Sequence, residues 1–460
     1  MGILMETEKK FSPAEIQELK KADQDCYFHP TSSLWVLQEK GAKIIAKGKG
    51  CKVWDVEGKE YYDGTAALWY NSVGHCRSDL IQAAKEQLDQ LEAYHSFNEF
   101  ANVPAIRLAQ KVSQMVPIKD ARIFFTSGGS ESNDTIFKMV RYYWFLKGQD
   151  SKDYIITRNR AYHGVSCGAV CATRLPGFHE GFEPRLPGFA HIDLPYCYLC
   201  PWKKQVDSCG LECAQALEEK IIELGKDKVA AFVAEPIIGT GGIIVPPPGY
   251  YEKIRKICTD NDVLFIADEV INAFGRTGKM FGIEHWEGVV PDLMTMAKGI
   301  TSGYVPLGAV ALSGEIFDTL IQKEKFLHGF TYSGHPLACA VGLKNLEIVE
   351  NEALVDNSEK MGKLLKEKIQ ALDFDVIGDV RGIGLMVGVE LVKNKETKEK
   401  HDPPLAPSVV DAAYELGLIT RPLIGDVLQF SPAMVITEPE IDAIVKILGE
   451  AIAKALKARE

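Results

Sequence analysis

Asp292–Val310 reads "DLMTMAKGITSGYVPLGAV" and sets one lysine, Lys298, between an apolar run and a tight, glycine-bearing turn. A lysine in that place is most often a solvated strand end. Its neighbours in sequence suggest more. "VLFIADEV" (Val263–Val270) is a second short apolar run, and it ends in an acid, Asp268. "ARIFFTSGG" (121–129), "DYIITRNRAYHG" (153–164), "VAAFVAEP" (229–236) and "LGAVALSG" (307–314) also end in small or polar residues. Such runs alternate with helical stretches from about Leu68 to about Tyr332, which predicts an α/β fold whose mostly parallel central sheet is covered on both faces. Ligands of such sheets sit beyond the carboxyl ends of the strands, where Lys298 and Asp268 fall.

The flanks read differently. "CKVWDVEGKEYYDG" (Cys51–Gly64) alternates as a hairpin with Glu57-Gly58 at its turn, after a helix rich in Glu and Lys. Beyond Pro336 come a charged helical pattern, "VIGDVRGIGLMVGVEL" (376–391) and a last helix, "EPEIDAIVKILGEAIAKALKARE" (438–460). The expected division is a large cofactor-binding domain over 68–335 and a smaller α+β domain assembled from 1–67 and 336–460. "KNKETKEKHDPPLAP" (393–407) reads as an exposed loop.

The chain has 460 residues, 46% of them hydrophobic, enough for a large core, and a formal net charge of -11. That charge argues against nucleic acid or an anionic membrane as partner. "MGILMETEKKFSPAEIQELKKADQ" is charged where a signal peptide needs an apolar core, and no run approaches the roughly 18 apolar residues of a membrane span. Eleven cysteines in a chain this large suggest reduced thiols and a cytoplasmic location.

"TSGGSESND" (Thr126–Asp134) follows an apolar strand and opens a helix, offering glycines for close approach and backbone N–H groups for an anion. It lacks the lysine of a nucleotide-binding loop. An anion cradle, an acid at a strand end and an apolar-framed lysine 30 residues after that acid (298 − 268) are the parts that hold pyridoxal phosphate. Burial favours the neutral, nucleophilic amine of such a lysine, and the acid keeps the pyridine nitrogen protonated so that the ring can draw electrons. Asp268 taken alone could equally be a cap.

With "NRAYHG", "AEPIIGTGG", "HGFTYSGHP" and "FIADEVINAFGRTGKMFGIEHWEGVVPDLMTMAKGI" beside the phosphate loop, the chain resembles class III aminotransferases of the fold-type I pyridoxal phosphate enzymes over nearly its whole length. The resemblance implies pyridoxal 5'-phosphate as cofactor, Lys298 as the Schiff-base lysine and Asp268 as partner of the ring nitrogen. It places Val270 and Tyr162 on the two ring faces and Gly129 and Ser130 at the phosphate. Glu235 stands near the cofactor, as a structural partner or in a substrate role. Thr331 matches a threonine that reaches the phosphate of the neighbouring subunit, which implies a homodimer with shared active sites, further assembly to a tetramer being open. The loop departs from the family's frequent Ser-Gly-Ser-Glu-Ala by reading Gly128-Gly129-Ser130-Glu131-Ser132.

"GTAALWYNSVGH" (64–75) resembles the pocket-lining segment of the ω-aminotransferase branch, with Leu68, Trp69 and Tyr70 as an aromatic wall; core packing is the alternative. Arg421 aligns with an arginine that grips a carboxylate, though alone it could be a surface ion-pair residue. The reaction implied is transfer of an amino group from an ω-amino acid or amine to pyruvate or a related keto acid, in two half-reactions at one site. Taurine, 4-aminobutyrate, ornithine or diaminopelargonate-type aminotransferases, an aminomutase and a catalytically silent relative remain open. Cys197, Cys200, Cys209 and Cys213 are spaced either for structural zinc or as reduced packing and surface thiols.

Overall fold

The computed structural model describes residues 11–323 and 325–459. The first ten residues of the stretch read above for an export signal lie outside them. Strands β1 (Ile45–Lys49), β2 (Lys52–Asp55) and β3 (Glu60–Asp63) form an antiparallel meander with Glu57-Gly58 at the second turn. Gly58 takes φ +88 there, a backbone state that glycine adopts without steric cost.

The central sheet contains β4 (Arg122–Thr126), β5 (Tyr154–Arg158), β6 (Phe189–Ile192), β7 (Val229–Ala234), β8 (Leu264–Asp268), β9 (Leu293–Met296) and β10 (Gly308–Leu312), in the order β4-β10-β9-β8-β7-β5-β6. All neighbours pair parallel except β10, which runs antiparallel between β4 and β9. Alternate residues of one strand feed two cores. Ala231 and Val233 join the helix Gly129–Leu146 through Ile136, Phe137 and Val140, while Phe232 and Ala234 face Leu217, Ile221 and Ile254. Every residue of β7, β8, β9 and β10 is buried, which is why these strands read as unbroken apolar runs.

A third sheet holds β11 (Ile377–Ile383), β12 (Met386–Leu391), β14 (Arg421–Leu423) and β15 (Val427–Phe430), ordered β11-β12-β15-β14 and antiparallel throughout. The short strand β13 (Leu418–Ile419) leaves this unit to pair parallel with β3, Leu418 opposite Tyr62 and Ile419 opposite Asp63. Residues 418–423 thereby join the first sheet to the third. The fully buried Arg276 fastens the central unit to the third sheet by donating to the carbonyls of Ser431 (3.2 Å) and Pro432 (2.5 Å). The 393–407 loop is mostly exposed, but Lys398 and Lys400 turn inward, Lys400 donating to Gly425 O at 2.9 Å. Among the described residues no helix is long and apolar enough to cross a membrane.

Candidate active site

β8 and β9 lie side by side with Asp268 opposite Thr295, so the acid and Lys298, three residues past Thr295, emerge at the same sheet edge. They line one cavity with Gly129, Ser130, Tyr162, Glu235 and Val270. Lys298 is surrounded by protein yet keeps part of its surface open to that cavity. Its backbone sits at φ +44, a left-handed state costing a non-glycine residue about 1–2 kcal/mol. Asn345 holds the turn there by donating to Gly299 O (2.8 Å) and Ile300 O (3.1 Å). Burial lowers the Lys298 ammonium below its ordinary range, against the opposing pull of Asp268 and Glu235.

Asp268 is almost fully buried. Its Oδ2 accepts from His163 Nδ1 at 2.6 Å and Asn133 Nδ2 at 2.9 Å, and its Oδ1 from Val270 N–H at 3.1 Å. Burial alone would raise its pKa; the His163 and Asn133 bonds outweigh that and hold the carboxyl ionised, below the usual carboxylate range. Glu235 faces the same space, accepting from Tyr162 N–H (3.1 Å) and Gly239 N–H (2.9 Å). Burial, with Asp268 nearby, pushes its carboxyl upward.

The helix Gly129–Leu146 begins at Gly128 without a side-chain cap, which leaves N–H groups of its first turn for an anion. Gly129 has a steric reason to be glycine, since a Cβ there would meet Val270 Cγ1 at 2.9 Å. Ser130 Oγ accepts from Val165 N–H at 3.1 Å, which fixes the hydroxyl oxygen beside the helix start. The serine that departs from the family pattern has a local function: buried Ser132 Oγ bonds Thr126 Oγ1 (2.8 Å) and donates to Met296 O (3.3 Å), tying the loop to the end of β9.

The other residues singled out in the sequence lie apart from this cavity or at its margin. Leu68 is exposed, Trp69 is buried, and Tyr70 is half-buried against Gly303. Arg421 is half-buried and close enough to Tyr162 and Lys298 for its charge to act on both. Among the described residues no carboxylate forms an ion pair with it, and burial lowers its pKa. Thr331 is exposed and does not line the cavity of its own chain.

A family model described as Aminotransferase class-III matches residues 37–452. The chain belongs to the class III aminotransferase family. This aminotransferase is 41% identical over 437 residues to the putrescine–pyruvate aminotransferase of Pseudomonas aeruginosa, covering 94% of this chain and 95% of that one. Among solved structures, a thermostable (S)-enantioselective omega-transaminase from Thermomicrobium roseum superimposes with a TM-score of 0.92 at 41% identity, over 96% of this chain and 99% of that one. The omega transaminase of Pseudomonas jessenii in complex with PMP does so with a TM-score of 0.92 at 38% identity, over 95% and 98%.

The aminotransferase uses pyridoxal 5'-phosphate, and the cavity fits it: an uncapped helix start, space that a Cβ on Gly129 would occupy, a deep amine and an ionised carboxylate. Cys197, Cys200, Cys209 and Cys213 line one small separate cavity, and none is disulfide-bonded. Among the described residues no group of three or more His, Cys, Asp or Glu side chains is placed to hold a metal ion. His163, Asn133, Gly164 and Ile271 also line the cavity and were not singled out from the sequence. Each stood inside a quoted motif, but the carboxylate that His163 and Asn133 share is 105 and 135 residues away.

Proposed function

We propose that the aminotransferase moves an amino group from an ω-amino acid or amine to pyruvate. The supporting observation is the pairing of β8 with β9, which delivers Asp268 and Lys298 to one cavity beside an uncapped helix start. The names of the Pseudomonas aeruginosa relative and the omega-transaminase neighbours support the substrate pair. When bound, pyridoxal phosphate supplies a carbonyl that captures the amine and a ring that draws electrons from the amine-bearing carbon. Gly129 and Ser130 would hold its phosphate, Tyr162 and Val270 its ring faces, and Asp268 the proton on its ring nitrogen. Lys298, with its pKa lowered by burial, serves as the base that takes and returns a proton at the substrate carbon. Glu235 fixes the backbone of Tyr162 and Gly239 around that reaction.

Leu68, Trp69 and Tyr70 are read as the wall for the amine's carbon skeleton, and Arg421, without an ion-pair partner among the described residues, as the grip for a carboxylate. The exposed Thr331, with exposed Phe97, Phe100 and Leu327, supports a homodimer in which Thr331 reaches the partner's phosphate site. A cytoplasmic setting fits the eleven free cysteines. The domain limits proposed are 68–335 for the cofactor domain and 1–67 with 336–460 for the smaller one.

The absorbance of the holoenzyme, followed through a panel of amines and then pyruvate beside Lys298→Ala, tests this reading. A lysine-dependent visible band that bleaches with an amine and returns with pyruvate is expected. A band that no amine bleaches would sink the proposal, as would return only with another keto acid.

A further inference from the structure

The segment between Asp63 and His75 is unusual in its backbone. Ala66, Ala67 and Trp69 all have positive φ (46°, 56° and 69°), and Ala67 pairs its φ with ψ -90. Non-glycine residues rarely hold such states unless their surroundings fix them. Here the surroundings are largely one buried carboxylate. Asp63 Oδ1 accepts from Thr65 N–H (3.2 Å) and Thr65 Oγ1 (3.1 Å), and Oδ2 accepts from Ala67 N–H (2.7 Å) and His75 Nε2 (2.9 Å). Asn71 Nδ2 lies 3.1 Å from His75 Nδ1, so that nitrogen accepts and Nε2 carries the proton given to Asp63.

The same segment contacts the turn that follows Lys298 and the backbone on either side of Arg421 and its partner strand. Tyr70 packs on Gly303, and Val73 N–H donates to Ser302 Oγ at 3.2 Å, both in the turn that follows Lys298. On the other side Gly64 N–H donates to Ile419 O (3.0 Å) and Ser431 N–H to Gly64 O (2.7 Å). Ile419 precedes Arg421 by two residues, and Arg421 lies opposite Gln429, which donates to Ser431 Oγ at 2.7 Å. A displacement at Asp63 therefore reaches the aromatic wall and the arginine together.

We propose that Asp63, locked by His75, is a positioning residue that sets the placement of the Leu68–Tyr70 wall relative to Arg421 and so governs the binding of the amine and of the carboxylate-bearing acceptor together. This rests on the reading of those residues as substrate contacts. In Asp63→Asn the amide NH2 faces a backbone N–H whichever way it is turned, so the strained loop loses a restraint. The test is steady-state kinetics of the holoenzyme with 1-phenylethylamine and pyruvate. KM for both is expected to rise about tenfold with kcat held within about twofold, and the resting visible band should stay unchanged. His75→Leu leaves the three bonds from Thr65 and Ala67 in place and is expected to move both KM values in the same direction by less. Wild-type KM values in both variants, or a fall in kcat alone, would overturn the proposal. Trp69→Ala and Arg421→Ala separate the two levels. If they leave KM unchanged, the substrate-contact reading falls and takes the proposal with it; if they shift KM while Asp63→Asn does not, the proposal falls alone.

Discussion

Asp268 and Glu269 stand side by side at the end of β8, both buried, and meet different donors. Asp268 is held ionised by His163 and Asn133. Among the described residues Glu269 accepts only from the Gly282 and Ile283 N–H groups (2.9 and 2.8 Å), and burial pushes its carboxyl up to about 8. Between the ordinary carboxylate range and about pH 8 the native state then binds one proton more at Glu269 than the unfolded chain does. Stability falls as pH rises through that window, and Glu269→Gln should flatten the fall, seen as a smaller loss of Tm from pH 5 to pH 8. Asp268 acts in the opposite sense: its contribution is present above the unfolded carboxylate pKa and is lost as pH falls through its lowered folded value. His163→Phe removes one of its two side-chain donors. We expect kcat to drop by about tenfold or more, equivalent to ~1.4 kcal/mol of barrier, with the pH profile of the bound cofactor's absorbance displaced. A profile superimposable on wild type would refute that assignment.

At the scale of elements, the turn after Lys298 and the loop before His75 are fitted to each other. A Cβ on Gly303 would lie 2.1 Å from the Tyr70 ring, and Gly303 has φ +72. Gly303→Ala should therefore destabilise by on the order of 3 kcal/mol in denaturant unfolding. Gly58→Ala, at φ +88 with nothing within 4 Å, should cost only about 1 kcal/mol. The strands were legible because burial on both faces writes itself as an apolar run, and the hairpin turn because Gly58 marks it. The backbone of 65–70 was not legible, since Thr65-Ala66-Ala67 carries no glycine where φ turns positive; Asp63 and His75 impose it from outside the turn. Nor was the split of 418–423 between two sheets, which depends on pairing with residues some 350 positions earlier in one case and a few positions later in the other.

At the scale of the whole molecule, a buried ionic knot joins the third sheet to the loop that leads out of the candidate active site. Glu390, fully buried, accepts from Arg381 Nη1 at 2.6 Å and from Lys400 and Tyr196. Arg381 also donates to Gly242 O (2.6 Å) and Ile243 O (2.8 Å), shortly after Glu235 and Gly239. Glu390→Ala leaves a largely buried guanidinium without its buried partner, for which about 3–5 kcal/mol of lost stability is expected in denaturant unfolding. A loss under ~1 kcal/mol would show that solvent or Asp379 compensates Arg381 instead.

The parallel pairing of β3 with β13 also has a consequence in time. Tyr62 finds its partner at Leu418, 356 residues later (418 − 62). A ribosome adding about 5–20 residues per second needs roughly 20 to 70 s to make that interval. Throughout it the edge of β3 and the Asp63 loop are without the strand that completes them. The nascent chain thus emerges with its first sheet open, and the parts that would grip a substrate come together only after Leu418 and Ile419 have been made.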